Sequence, residues 1–233
     1  MSRFRAQEGF TLMEMLVAAT VGFVILSATL GLLESTLRLD NGVMAKTDAQ
    51  QRGRLAMDRI TQELRSQVCL NLTTPAILPT KSTADSVTFY SDFGSNVKAP
   101  PMLRTITFDP TSGDIIESDV PGAGPDGGPF TYTATPTKSI IFQNATRVVE
   151  TDNSVRPFLK YFAYETKAGV LGTTQELTPP LAAAAAARVA RIEISFTARP
   201  TGAKDSKNAT DIKDEIAVRH ADPNLTVPDP QCV

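Results

Sequence analysis

Tryptophan is absent from this 233-residue chain, histidine occurs once, at His220, and cysteine twice, at Cys69 and Cys232. With a single imidazole, a histidine-dependent triad or a multi-histidine metal centre has no material to work with. The cysteines stand far apart in sequence, which excludes a CxxC redox or zinc spacing. Neither charge is in excess. The 23 basic and 25 acidic residues leave no surplus to neutralise phosphates, so nucleic acid is not expected as a partner. No glycine-rich loop leads into Gly-Lys-Ser/Thr, and PGAGPDGGP at residues 121–129 reads as a flexible loop. The acids of Asp109–Gly113 lack the alternating spacing of a calcium loop, so that stretch reads as a solvated hairpin turn. No nucleophile motif, metal spacing or carboxylate pair stands out. We therefore expect no enzymatic activity, no metal and no cofactor.

What the chain does have is one long apolar run. Phe10–Leu33 is 24 residues, about 36 Å as a helix and enough to cross a bilayer. A secretory signal has a shorter apolar region and a small-residue cleavage site. Ser27-Ala28-Thr29 offers such a site, but Leu30, Leu32 and Leu33 carry the run past it. Arg3 and Arg5 precede the run, which sets a cytoplasmic N-terminus. The odd residue is Glu14. A carboxylate within hydrocarbon is costly and marks a function with a partner to be found. Gly22 and Gly31 also lie inside the run, as points of helix weakening or of close helix packing.

The string Gly9-Phe10-Thr11-Leu12-Met13-Glu14, after a nine-residue basic leader and before the apolar run, resembles the processing signal of type IV prepilins and pseudopilins. The resemblance implies cleavage between Gly9 and Phe10 by a membrane prepilin peptidase and methylation of the new Phe10 amine. It also implies assembly with other pilins, in which Glu14 meets the Phe10 amine of a neighbouring subunit. RLAMDRITQELRS, at residues 54–66, resembles the matching region of PilW-type minor pilins and of the J pseudopilin of type II secretion. The implied fold is α+β and pilin-like, a long N-terminal helix packed on an antiparallel sheet domain. The implied division is a leader at 1–9, a membrane and assembly helix at 10–33, its amphipathic continuation at 34–68, and an extracytoplasmic β-rich domain at 69–233. The implied location is the inner membrane, crossed once, and then a pilus or pseudopilus. A minor pilin that helps prime a type IV pilus is the leading expectation; a pseudopilin is the alternative, and a membrane-anchored extracytoplasmic enzyme the more distant one.

Past Leu33 the pattern turns amphipathic. Met57, Ile60, Leu64 and Val68 recur at helical spacing. We expect one helix to Val68, bent near Asn41-Gly42, with Arg54/Asp58 and Arg59/Glu63 as ion pairs along its outer face. Pro75 and Pro79 make residues 71–84 a linker. Strands are expected at 86–91, 103–108, 114–118, 139–143, 158–164, 189–199 and 214–220, with a polar loop at 200–209 and a short helical connector in the alanine run 181–187. Phe158, Tyr161, Phe162 and Tyr164 are either packing residues or an aromatic ligand platform. Cys69 and Cys232 are either a disulfide tying the tail to the region after the first helix or two free thiols. A bridge closing so long a loop would contribute about 5 kcal/mol in the chain-entropy model.

Overall fold

A computed structural model describes residues 11–70, 74–92, 100–164, 174–201 and 208–218. The chain forms two compact units, residues 1–44 and 45–233. A single helix, α1 (Leu12–Arg65), contributes to both. It stays helical through Asn41-Gly42 and ends three residues before the expected Val68. A competing set of backbone partners ends it there. Gln67 bridges Ser91, and the Val68 N–H donates to the Tyr90 carbonyl at 2.9 Å, so the chain leaves the helix to join a sheet edge.

In the first unit every described residue of α1 from Leu12 to Asn41 is exposed, the large apolar side chains included. In the second unit, residues 45–65 bury one stripe: Ala49, Gly53, Ala56, Met57, Ile60, Thr61 and Leu64. This is the 3.6-residue period of a helix covering a core.

The second unit is built on two antiparallel sheets. The first runs β1 (Ser86–Ser91), β2 (Met102–Asp109), β3 (Asp114–Val120) and β4 (Thr137–Phe142) in that spatial order. The second is centred on β8 (Arg191–Ala198). On one side β8 pairs with β6 (Leu159–Tyr164) and β5 (Ala145–Thr146); on the other it pairs with β9 (Thr210–Ala217). Strand β7 (Thr174–Leu177) pairs with β6, and α2 (Ala183–Ala186) precedes β8. The expected alternation in β8 holds: Ala190, Ile192, Ile194, Phe196 and Ala198 are all buried. Phe108 of β2, Phe158, Phe196 of β8 and Phe142 of β4 touch in turn at centroid distances of 5.6, 6.3 and 5.4 Å, which joins the two sheets through one core.

Several expectations change. Strand β9 begins at Thr210, four residues before the expected start; its two buried positions, Ile212 and Ile216, stand among mostly polar ones, so no alternation marks its first half. Residues 219 and 220, the end of the expected last strand, lie outside the described residues. The linker is docked: Ala76 and Ile77 are buried, Ile77 bridges Phe89, and the Leu78 N–H donates to the Thr88 carbonyl at 2.8 Å. It thereby covers the β1 edge. Residues 121–129 are likewise folded. Ala123 and Thr131 exchange backbone hydrogen bonds at 2.9 and 2.8 Å, and Gly124 sits at φ 152°, where an added Cβ would lie 2.4 Å from the Pro129 carbonyl oxygen.

Gly53 sets the approach of α1 to the second sheet. A Cβ there would lie 2.9 Å from that of Ala198 and 3.0 Å from Ile212 Cγ1. Gly53→Leu is therefore expected to destabilise the domain by about 1–3 kcal/mol through overpacking, despite leucine's better helix propensity. A thermal melt followed by circular dichroism checks this; an unchanged or raised Tm would contradict the close approach.

Candidate processing and assembly site

The amino end of α1 is organised by Thr11. Its hydroxyl oxygen accepts from the Glu14 N–H at 3.3 Å, and its carbonyl accepts from the Glu14 and Met15 N–H groups at 3.1 and 3.2 Å. Thr11 and Glu14 have the spacing of a capping box, Ser/Thr-x-x-Glu, in which the N-cap hydroxyl satisfies a first-turn N–H. The same string thus serves local helix initiation as well as the motif. Glu14 sits in the first turn, where the helix dipole favours a negative charge. It is exposed, and no other charged residue occurs between Thr11 and Leu33. Gly9 and Phe10, the expected cleavage and methylation residues, lie outside the described residues.

The exposed surface on either side of Glu14 is apolar apart from a few hydroxyls. Leu12 is 86% exposed, Phe23 71% and Leu32 69%. The hydroxyls in this stretch turn back onto their own helix: Thr20 donates to the Val17 carbonyl at 2.8 Å, Ser27 to Phe23 at 2.9 Å, and Thr29 to Leu26 at 2.8 Å. Internal satisfaction of every polar group is what a lipid environment requires. The run closes at Glu34, which pairs with Arg38 at 2.6 Å. By length and composition this helix can cross a membrane.

A second constellation fixes residues 45–65 of α1 on the domain. Arg104 of β2 contacts Glu63 of α1 and Glu117 of β3, with Asp119 at 3.8 Å. Arg59 of α1 contacts Glu117 from the other side and donates to the Ser139 hydroxyl at 3.3 Å. Glu117 is fully buried. This corrects the expected pairing along the helix: Arg59 and Glu63 each reach across to the sheet, and Arg54 and Asp58 are exposed and form no ion pair among the described residues. A long-range partner that is already buried outcompetes an exposed i,i+4 partner. On the far side, the Thr61 hydroxyl donates to Asp214 of β9 at 3.1 Å.

Three carboxylates here share two guanidiniums. Burial raises the Glu63 carboxyl above its ordinary range, Arg104 opposes that, and Glu117 and Asp119 add to it. Burial also raises Asp119, and the Glu117 charge pushes it further. A carboxyl whose folded pKa lies above its unfolded value binds protons more tightly when folded. Its penalty is complete above the folded pKa and disappears as pH falls through the window down to the unfolded value. Asp119→Asn should therefore raise Tm at pH 7. The gain should shrink on acidification and vanish below the ordinary Asp value of 3.8. Paired melts of variant and parent across pH cancel the opposite contributions of Asp109, Glu150 and Asp152, whose carboxyls hydrogen bonds hold low. A gain independent of pH would contradict the assignment.

Phe158, Tyr161 and Phe162 resolve as packing. Phe158 and Tyr161 are fully buried, and the Tyr161 hydroxyl lies 3.0 Å from both the Thr83 and Ser86 carbonyls. Arg191 covers the Phe162 ring at 4.2 Å. The Asp109 turn uses its carboxylate on its own backbone, accepting from the Thr111 N–H at 2.8 Å. Cys69 lies two residues past the bridge at Gln67, while Cys232 lies outside the described residues.

Residues 4–30 match the family model of the prokaryotic N-terminal methylation motif. The motif is that of prepilin-type, type IV pilin-like proteins, and the long N-terminal helix with antiparallel sheets is a pilin-like α+β arrangement. No curated protein matches the chain. The motif implies a prepilin peptidase as processing partner, anchoring of the chain in a membrane, and assembly with other pilins.

Proposed function

We propose that this chain is a minor pilin that helps prime assembly of a type IV pilus. The carrying observation is the coincidence of the methylation motif at residues 4–30 with a helix whose apolar surface is exposed on every side from Leu12 onward. In this reading the leader of residues 1–9 is removed between Gly9 and Phe10, and Phe10 is methylated. Residues 10–33 hold the chain in the inner membrane as a single pass and later enter the filament core. There Glu14 neutralises the Phe10 amine of a neighbouring subunit. Residues 34–68 are the amphipathic continuation of that helix, residues 45–65 of which pack on the extracytoplasmic domain at 69–233. The role is structural, without an enzymatic step. The likeness of residues 54–66 to a type II secretion pseudopilin supports a pseudopilus subunit as the second reading. Cys69 and Cys232 are proposed to form a disulfide in the exported domain.

Mass spectrometry of the mature N-terminus tests the core of this proposal. The expected product begins at methylated Phe10. An intact Met1, or cleavage near Ala28, would overturn it.

A further inference from the structure

Four of the chain's seven asparagines have threonine two positions on: Asn71-Leu72-Thr73, Asn144-Ala145-Thr146, Asn208-Ala209-Thr210 and Asn224-Leu225-Thr226. Threonine makes up 28 of the 233 residues, so chance would place about one such pair among seven asparagines. Asn-x-Thr with no proline in the middle is the acceptor pattern for an N-linked sugar. In an extended chain residues i and i+2 share a face, which sets the threonine hydroxyl beside the asparagine carboxamide. Asn71 and Asn224 lie outside the described residues.

The fold brings the other two sequences to one strand end. Asn144 stands in the bend between β4 and β5 at φ 63°, and its carbonyl accepts from the Arg199 N–H at 3.2 Å. Asn208 stands in the turn that leads into β9. Ala145 and Thr210 both pair with Ala198, one from each side of β8. Their strands are therefore two strand spacings apart, roughly 10 Å. Both asparagines are partly exposed, and neither carboxamide makes a hydrogen bond among the described residues. Turn side chains that serve the fold bond nearby backbone, as the Asp109 and Asp152 carboxylates do with the Thr111 and Ser154 N–H groups. Thr210 carries the same signal: its Oγ1 is buried without a hydrogen-bond partner. A buried hydroxyl left unsatisfied costs free energy that valine, of similar shape, would avoid. Packing alone does not account for threonine at this position.

We propose that Asn144 and Asn208 are acceptors of an N-linked sugar donated from an anomeric carbon activated by a diphosphate. A bond forms from the asparagine Nδ2 to the anomeric carbon while the carbon–oxygen bond to the diphosphate breaks. The diphosphate leaves with the electron pair, and the amide gives up one proton. Because the Thr210 hydroxyl is buried in the folded domain, transfer at Asn208 precedes the pairing of β9 with β8. The sugars, bulky and solvated, then shield this end of the second sheet. The inference stands apart from the pilin reading.

The full chain purified from its native host and digested with trypsin tests it, by fragmentation of peptides 139–147 and 208–213 under conditions that keep sugars attached. The expected result is a sugar mass on Asn144 and on Asn208. Thr210→Val should lower occupancy of Asn208 about tenfold or more, leave Asn144 modified, and leave Tm unchanged or raised. Thr210→Ser should keep the modification, a split between valine and serine that a merely structural threonine would not produce. Blocking synthesis of lipid-linked sugars removes both adducts where the donor is a lipid diphosphate and spares them where it is a nucleotide diphosphate. An unmodified peptide at either position removes that acceptor. Two unmodified peptides, sugar on a hydroxyl instead, or a modification of Asn208 that survives Thr210→Val overturns the proposal.

Discussion

Replacing Glu14 by alanine is expected to leave the chain inserted in the membrane and cut before Phe10, while its incorporation into filaments falls by about a hundredfold or more. The carboxylate is the only charge between Thr11 and Leu33, and it stands on a helix surface that is otherwise apolar. In a lone membrane helix near the interface its removal is tolerated, because hydrophobicity rises. In a filament core the proposed partner, the Phe10 amine of another subunit, would be left buried and uncompensated. Losing one member of such a pair costs about 3–5 kcal/mol, and each ~1.4 kcal/mol is a factor of ten. Glu14→Gln keeps shape and capping capacity but removes the charge, so it should fail nearly as badly. Immunoblots of sheared filaments against membrane fractions make the measurement. Incorporation at the parental level with either variant would remove the ion pair from the mechanism. A loss with alanine that glutamine rescues would leave helix capping by Thr11 and Glu14 as the explanation.

Arg104→Ala should destabilise the domain by about 3–5 kcal/mol, because it strips the charge partner from Glu63 and one of two partners from the fully buried Glu117. At roughly 2–4 °C per kcal/mol for a domain of this size, Tm should drop by about 6–20 °C. The effect should be strongly non-additive. With Glu117→Gln in the same chain, the fully buried carboxylate left with Arg59 alone is neutralised and part of the loss should be recovered. A drop of under ~1 kcal/mol, or full additivity, would mean that water reaches the cluster and screens it as it does a surface pair.

The features legible in the sequence are those whose physics is local. The motif from Gly9 to Glu14, the apolar run and the cap formed by Thr11 and Glu14 are contiguous, so residue order alone carries them. The cap is Ser/Thr-x-x-Glu and shares its residues with the longer motif, so one string carries both a helix start and a lone charge. Strand β8 was legible because one face is buried along its whole length, which writes a strict alternation. Strand β9 was legible only in its second half, since its inward positions, Ile212 and Ile216, are four apart among polar residues. Strands β5 and β7 are two and four residues long and write no pattern.

What the tertiary structure decided is pairing over distance. Arg59 and Glu63 have helical neighbours of opposite charge, which predicted pairs along α1. Folding instead brings Glu117 and Arg104 to them from 58 and 41 residues away. Gly53 looks like a helix defect until Ala198 and Ile212 are placed against it. The sequence by itself determined that the apolar run up to Leu33, helical from Leu12, carries one acid, because length, hydropathy and a lone charge need no partner to be read. Only the tertiary structure decided which faces of residues 45–65 are buried and which remain open at Leu55, because burial depends on what the rest of the chain sets against the helix.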